Sequence, residues 1–209
     1  MLLLVLLIGA SLTGALWTLW ERRRHDPWLR LLVFGALTLY FAWVSRNALR
    51  SPRAHGFWRF FAWECIAALI LLNLPMWEHD PLSPRQIASW LLLIMSPCLA
   101  IHAVLLLRRE GQPDVRRDDA ELLGFERTSR LVTRGAFHYI RHPMYAALLA
   151  LAWGAYLKDI TPQSSTVVAG ASVFLLLTAL RDEAECRAHF GAGYADYMQR
   201  SKRFIPYVF

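Results

Sequence analysis

Two short polar segments interrupt an otherwise apolar chain of 209 residues, and they hold the side chains best suited to chemistry. The first, residues 135–145, reads Gly-Ala-Phe-His-Tyr-Ile-Arg-His-Pro-Met-Tyr and leads into an apolar run. Pro143 lacks an amide hydrogen and suits the first turn of a helix, so we expect that turn's unpaired amides to point toward Arg141 and His142. Such a helix end can bind a carboxylate.

The second segment begins where the last apolar run ends, with Asp182 and Glu183 after Arg181, and continues to Tyr197. Adjacent acids at the end of a membrane span need a cationic partner if they lose their water. Arg141, Arg181 or the ammonium group of a ligand would serve. Each segment also has a structural explanation, as solvated boundary charges, a helix cap and aromatic side chains at the membrane interface.

The elements that must position these segments are six apolar runs, at residues 2–20, 29–44, 57–77, 87–107, 143–157 and 166–180. Hydrophobic residues make up 56% of the chain and charged residues 19%, and runs of this length are typical of lipid-facing helices. We expect an all-α integral membrane bundle of five to six transmembrane helices with a cytoplasmic helical tail. The first run lacks a preceding charged region and a small-residue cleavage site, which predicts a retained span.

The distribution of arginine predicts the orientation. Residues 108–141 carry eight arginines, whereas the loop between the third and fourth runs carries one, so we expect the former to be cytoplasmic and the latter external. The last two runs then form a hairpin around residues 158–162, which returns both polar segments to the cytoplasmic side. Basic residues flank the second run at both ends. Either that run does not cross fully or one basic loop is external.

Other classes of protein fit less well. The net charge of +7 comes largely from arginines beside apolar runs, not from a stripe with interleaved aromatics, so we expect no nucleic-acid partner. The three cysteines, Cys65, Cys98 and Cys186, include no close pair, and we expect neither a disulfide framework nor a metal site.

The order of the motifs resembles a known family. Leu131-Val132-Thr133-x-Gly135 is followed by Arg141-His142-Pro143-x-Tyr145, an apolar hairpin, two acids, and Phe190-Gly191-x-x-Tyr194-x-x-Tyr197. This arrangement is similar to isoprenylcysteine carboxyl methyltransferases and their bacterial relatives, including phospholipid methyltransferases. The resemblance covers about residues 130–206, and it divides the chain into an N-terminal region, 1–107, without a signature and a cofactor-binding region, 108–209.

The resemblance implies an enzyme that transfers a methyl group from S-adenosyl-L-methionine to a small lipophilic acceptor, in the bacterial inner membrane with its cofactor site facing the cytoplasm. Membrane lipids would surround the enzyme and would be among its partners. Matched position by position, the resemblance implies that the cofactor is bound by Arg130, Leu131, Val132, Phe137, Arg141, His142, Pro143, Met144, Tyr145, Asp182 and Glu183.

Three departures from the family pattern stand out. Phe137 replaces a tyrosine, the acid pair begins with aspartate, and Thr178 stands where the prenylcysteine enzymes have an arginine thought to contact substrate. The acceptor, a thiol, carboxylate or amine, therefore stays open. For catalysis we single out His142 and Glu64 as possible bases and Arg181 for a substrate role.

Two alternatives remain at this stage. The tail is also similar to that of sterol reductases, which use NADPH, but this chain lacks their Gly-Asp pair after the first motif and their His-Arg pair before the acids. The other alternative is a membrane scaffold without catalytic activity. Binding of NADPH, or of neither cofactor, would distinguish these two alternatives from the methyltransferase.

Overall fold

The computed structural model describes residues 25–112 and 128–209, and most of these residues lie in helices. We number the helices α1 (Pro27–Val44), α2 (His55–Asn73), α3 (Pro84–Glu110), α4 (Ala136–Tyr139), α5 (Pro143–Tyr156), α6 (Pro162–Phe190) and α7 (Ala192–Arg200). Short 3-10 turns cover Ala48–Arg50 and Leu74–Met76. The all-α class predicted from the apolar runs is confirmed for these residues.

Four of these helices, α1, α2, α3 and α6, are long and apolar enough to cross a membrane, judged by length and composition. Helix α5 is equally apolar but has 14 residues, which gives it a length of about 21 Å. The first predicted span, residues 2–20, lies outside the described residues. The membrane class of the prediction is thus supported by four candidate spans, and a count of five or six stays a prediction.

The core lies where α2, α5 and α6 meet. Leu69 of α2 is fully buried and belongs to one apolar cluster with Ala152 and Ala155 of α5 and Ala171 of α6. Small residues at these positions let the helix backbones approach closely, which is the usual means of packing helices in lipid. The helices of regions 1–107 and 108–209 therefore share one core.

Buried polar side chains join the helices at one end of the bundle. The side chain of Lys158 is fully buried there, with its Nζ 3.5 Å from the ring centroid of Trp90 and 3.0 Å from Oε1 of Gln86. Asn73 at the end of α2 donates hydrogen bonds to carbonyls of the same hairpin, including that of Ala155 at 2.9 Å. The loops after α2 and α5 thus lie together at this end of the bundle.

Helix α1 runs antiparallel to α2, so its two ends lie at opposite ends of the bundle. The guanidinium of Arg30 donates to the carbonyl of Leu71 near the end of α2, at 3.2 Å. Thr38, further along α1, donates to Oε2 of Glu64 at 2.8 Å. Arg30 therefore lies toward the Lys158 end, whereas the arginines that follow α1 lie toward the opposite end.

Helix α6 is longer than its apolar run. The run was predicted to end at Leu180, but the helix continues to Phe190, so the two acids belong to the last turns of the same helix. Gly191 ends it with a φ of +57°, a conformation that favours glycine, and α7 begins directly afterwards. Gly193 lies inside α7.

The contact between α3 and α5 can be tested at Gly154. A Cβ added there would lie 2.9 Å from Cγ of Leu93 and 3.2 Å from its backbone nitrogen, whereas a Cβ at Gly170 would meet nothing nearer than 3.7 Å. Both substitutions by alanine gain helix propensity, so their difference reports overpacking. We expect Gly154→Ala to unfold at a lower temperature than Gly170→Ala in detergent micelles. Its free energy of unfolding should be lower by about 1–3 kcal/mol. Equal stability would contradict the close packing.

Candidate active site

A buried carboxylate joins the end of α6 to the first polar segment. Glu183 is only 3% exposed, and its Oε1 accepts hydrogen bonds from Nε of Arg141 and Nε of Arg203, each at 3.0 Å. Its Oε2 accepts from Nη2 of Arg203 at 3.0 Å, and Nε2 of His142 lies 3.4 Å from Oε1. The cationic partner that the acid pair was expected to need is therefore supplied by three side chains.

Backbone pairing holds the same segments in register. The amide of Arg141 donates to the carbonyl of Lys202 at 2.7 Å, and the amide of Lys202 donates to the carbonyl of Tyr139 at 3.0 Å. The guanidinium of Arg141 also donates to the carbonyls of Met198 and Ser201 at the end of α7. The residues after α7 therefore lie alongside the first segment and fix its path.

His142 lies between the two acids and immediately before α5. Its Nδ1 is 3.4 Å from Oδ2 of Asp182, and its ring stacks on Tyr145 with centroids 5.3 Å apart. Its side chain makes no capping hydrogen bond to the helix. Burial disfavours the charged imidazole, but the hydrogen bonds and negative charges of Asp182 and Glu183 together raise the pKa of His142 above its usual value.

These contacts surround a cavity with about 810 Å³ of empty space, counting its open mouth. Four parts of the chain form its walls: the start of α2, the end of α3, the segment from Thr128 to α5, and the region from the end of α6 through α7. The lining residues are His55, Leu107, Thr128, Arg130, Leu131, Val132, Phe137, Arg141, His142, Pro143, Met144, Tyr145, Asp182, Glu185, Cys186, Phe190, Tyr194 and Tyr197. A cavity with apolar walls and a few convergent charges is the usual form of a small-molecule site.

Ten of the eleven residues expected to bind a cofactor line this cavity, from Arg130 through Tyr145 together with Asp182. The eleventh, Glu183, lies behind the wall in the ion cluster. Two catalytic candidates are elsewhere: Arg181 is exposed at the surface of α6, and Glu64 contacts Thr38 of α1. Neither lines the cavity.

The cavity also contains residues that the sequence did not assign to it. Phe190, Tyr194 and Tyr197, which belong to the motif of the second polar segment, form part of the wall. His55 and Glu185 had no local signal, because they are 130 positions apart and meet only through the packing of α2 on α6. Long-range pairs of this kind carry no motif.

Gly135 allows α3 to approach the first segment. Its φ is +56°, and an added Cβ would lie 2.8 Å from Nε2 of His102 and 2.6 Å from a methyl carbon of Leu106. The same His102 nitrogen lies 3.4 Å from the amide of Ala136, which is positioned to donate to it. His102 thus supports the turn that carries Phe137.

One group of side chains has the composition of a metal site. Ligand atoms of His55, Asp182 and Glu185 all lie within 4.8 Å of one another. Both oxygens of Glu185 already accept from His55, however, and Asp182 faces His142. The group is therefore complete as a hydrogen-bonded network, and we assign no metal to it.

The ion cluster predicts the effect of removing one charge. Glu183→Gln keeps the shape of the side chain but leaves Arg141 and Arg203 without a buried counter-charge. We expect it to lower the free energy of unfolding by about 3–5 kcal/mol and to expose the chain beyond Gly191 to protease. Asp196→Asn, at an exposed position of α7, should leave both properties unchanged. Wild-type behaviour of Glu183→Gln would show that the cluster does not hold the tail.

The raised pKa of His142 predicts a pH dependence of stability. The charged imidazole is favoured in the folded protein, so its contribution is full below the unfolded pKa of about 6.5 and is lost as pH rises through the higher folded pKa. Thermal unfolding measured from about pH 6 to about pH 9 should show this loss of stability in the wild type. The control His138→Gln, which replaces an exposed imidazole, should show the same loss. His142→Gln should show a flatter profile. Identical profiles in all three proteins would contradict the assignment.

No known protein-family model matches this chain.

Proposed function

We propose that the chain is a membrane-embedded methyltransferase that uses S-adenosyl-L-methionine to methylate a small lipophilic acceptor at the cytoplasmic face of a bacterial inner membrane. One observation carries this proposal: two polar segments, residues 135–145 and 182–197, which are separated in the sequence by an apolar hairpin, line the same cavity. Tyr145 of the first and Asp182 of the second both line it.

The residues of the cavity fit the chemical parts of this cofactor. Leu131, Val132 and Phe137 offer apolar surface for a nucleobase, and Arg130 offers a cation for a carboxylate. Asp182 is 24% exposed and lines the cavity, so its carboxylate is available to an ammonium or sulfonium group. Aromatic faces such as those of Phe137 and Tyr145 also attract cations, and each contact of this kind contributes about 0.5–2 kcal/mol.

When bound, S-adenosyl-L-methionine supplies a methyl group activated by the positive charge on sulfur. The protein then has to hold the acceptor in line with that methyl group and keep water away, and it needs little other chemistry. The ion cluster around Glu183 supports this role because it holds the first segment, α6 and the tail at fixed positions around the cavity.

The surface of the bundle favours an acceptor that arrives through the membrane. Large apolar side chains are strongly exposed on the outer helices, including Leu32 and Leu39 of α1 and Leu91 of α3. Such residues are suited to contact with lipid chains. A water-soluble cofactor would enter from the open mouth of the cavity, whereas a lipophilic acceptor would enter between helices.

The arginine distribution supports the cytoplasmic location of the cavity. Arg108 and Arg109 end α3 beside Leu107, which lines the cavity, and Arg46 follows α1 toward the same end. Basic residues beside spans are enriched on the cytoplasmic side. The basic flank at Arg30 then belongs to the external end, despite its charge.

Calorimetry with purified protein in detergent micelles tests the proposal. We expect S-adenosyl-L-methionine to bind and NADPH not to bind. Asp182→Asn should weaken cofactor binding by about tenfold or more, because a charged hydrogen bond of about 1.5–3 kcal/mol is lost. Asp196→Asn is the matched control and should bind like the wild type.

Two results would contradict the proposal. Binding of NADPH instead of S-adenosyl-L-methionine would favour a reductase, and binding of neither would favour a scaffold. Wild-type affinity in Asp182→Asn would remove this acid from the site.

A further inference from the structure

The residues after α7 form a compact turn, residues 204–209, which we call the apolar turn. The amides of Phe204 and Ile205 both donate to the carbonyl of Phe209, each at 2.7 Å. The amides of Val208 and Phe209 in turn donate to the carbonyl of Ile205, at 3.2 and 3.1 Å. Most backbone donors of the apolar turn are therefore satisfied within it, as contact with lipid requires.

The side chains of the apolar turn divide into one buried ring and an exposed surface. Phe204 is buried, whereas four large apolar side chains after it are exposed, with Tyr207 80% and Val208 71% exposed. The exposed ring of Tyr139 extends this surface, since its centroid lies 6.0 Å from that of Tyr207. A contiguous apolar surface of this kind marks a site of contact with a protein or a membrane.

The buried ring places the apolar turn beside the membrane-spanning helices. Phe204 belongs to an apolar cluster with Ala62 of α2, Tyr145 of α5 and Leu175 of α6. Ala62 lies about two helical turns after the start of α2, and both α2 and α6 are candidate spans. The apolar turn is therefore level with the first turns of these spans, where acyl chains meet lipid headgroups.

Cations border the apolar turn. Residues 197–209 contain Arg200, Lys202 and Arg203 but no acid. Arg203 belongs to the buried ion cluster, whereas Arg200 and Lys202 are exposed, and Lys202 makes no ion pair with any residue that the structure describes. The amide of Lys202 donates to the carbonyl of Tyr139, which places this lysine beside the exposed apolar surface.

We propose that the apolar turn inserts into the membrane leaflet at the cavity end of the bundle and selects anionic lipids there. Its exposed side chains contact the acyl chains, and Lys202 and Arg200 contact the headgroups. Apolar surface with adjacent cations is the usual composition of a segment that binds an anionic membrane surface.

A lipid leaflet fits this surface better than a second copy of the chain. A symmetric dimer contact places the same patch of both copies face to face. Lys202 and Arg200 of one copy would then meet the same two cations of the other, with no acid nearby in residues 197–209 to offset them. Anionic headgroups supply the opposite charge.

Contact with lipid would also act on the cavity wall. Arg203, which precedes the apolar turn, donates to Glu183, and the ring of Phe204 lies 6.2 Å from that of His142. Anchoring the apolar turn therefore helps to hold the chain that completes the ion cluster. The inference does not depend on which cofactor the cavity binds.

Photolabelling by lipids tests the insertion on the wild-type chain. The protein would be placed in phosphatidylcholine nanodiscs with a trace of either phosphatidylglycerol or phosphatidylcholine that carries a diazirine near the start of one acyl chain. Trypsin cleaves after Arg203, so label in residues 204–209 is separated from label in α7. We expect this region to be labelled by both lipids, and about fivefold or more by the anionic one.

Variants separate the two parts of the contact. Lys202→Gln should remove most of the preference for phosphatidylglycerol, whereas Arg85→Gln, at the opposite end of the bundle, should keep it. Val208→Asp should lower labelling of residues 204–209 by both lipids, and Val208→Ala should not. Unchanged labelling of α1 in each variant shows that the protein is still inserted.

Three results would overturn the inference. Residues 204–209 without label, in protein whose α1 is labelled, would show that the apolar turn lies outside the membrane. Equal labelling by the two lipids would refute the selection of anionic headgroups. Label that appears only when the protein is diluted in lipid would show that a second copy covers the apolar turn.

Discussion

The structure of the site depends on one buried carboxylate. Glu183 has lost nearly all of its water, a change that costs several kcal/mol unless cations replace the lost hydrogen bonds. The replacements come from the loop before α5, through Arg141 and His142, and from the residues after α7, through Arg203. Satisfying this single charge therefore requires three separate segments to meet at the end of α6.

Asp182, the neighbouring acid, has a different role because its side chain points in a different direction. Successive residues of an α-helix point about 100° apart, so Asp182 and Glu183 cannot face the same surroundings. Glu183 points into the packed junction, whereas Asp182 faces the cavity and retains partial exposure. The acid pair thus combines an anchor with a candidate ligand, and the shorter aspartate is the one that remains available.

The sequence predicted those features that lipid or local chemistry dictates. Apolar runs identified α1, α2, α3, α5 and the apolar part of α6, and Pro143 marked the start of α5. The extent of α6 was missed, because charged residues after Leu180 end an apolar run without ending a helix; Gly191 does that. His55 could not be assigned to the cavity, since its partner Glu185 is close only in the folded chain. The position of Arg30 toward the Lys158 end follows only from its contact with α2.

The central claim, that the two polar segments enclose one cofactor site, is tested most directly by photoaffinity labelling. Purified protein would be irradiated with an azido derivative of S-adenosyl-L-methionine, digested and mapped by mass spectrometry, with unmodified cofactor as competitor. The account predicts competable labels in both residues 130–145 and residues 182–197. Labels confined to one segment, or placed at the Lys158 end of the bundle, would contradict it.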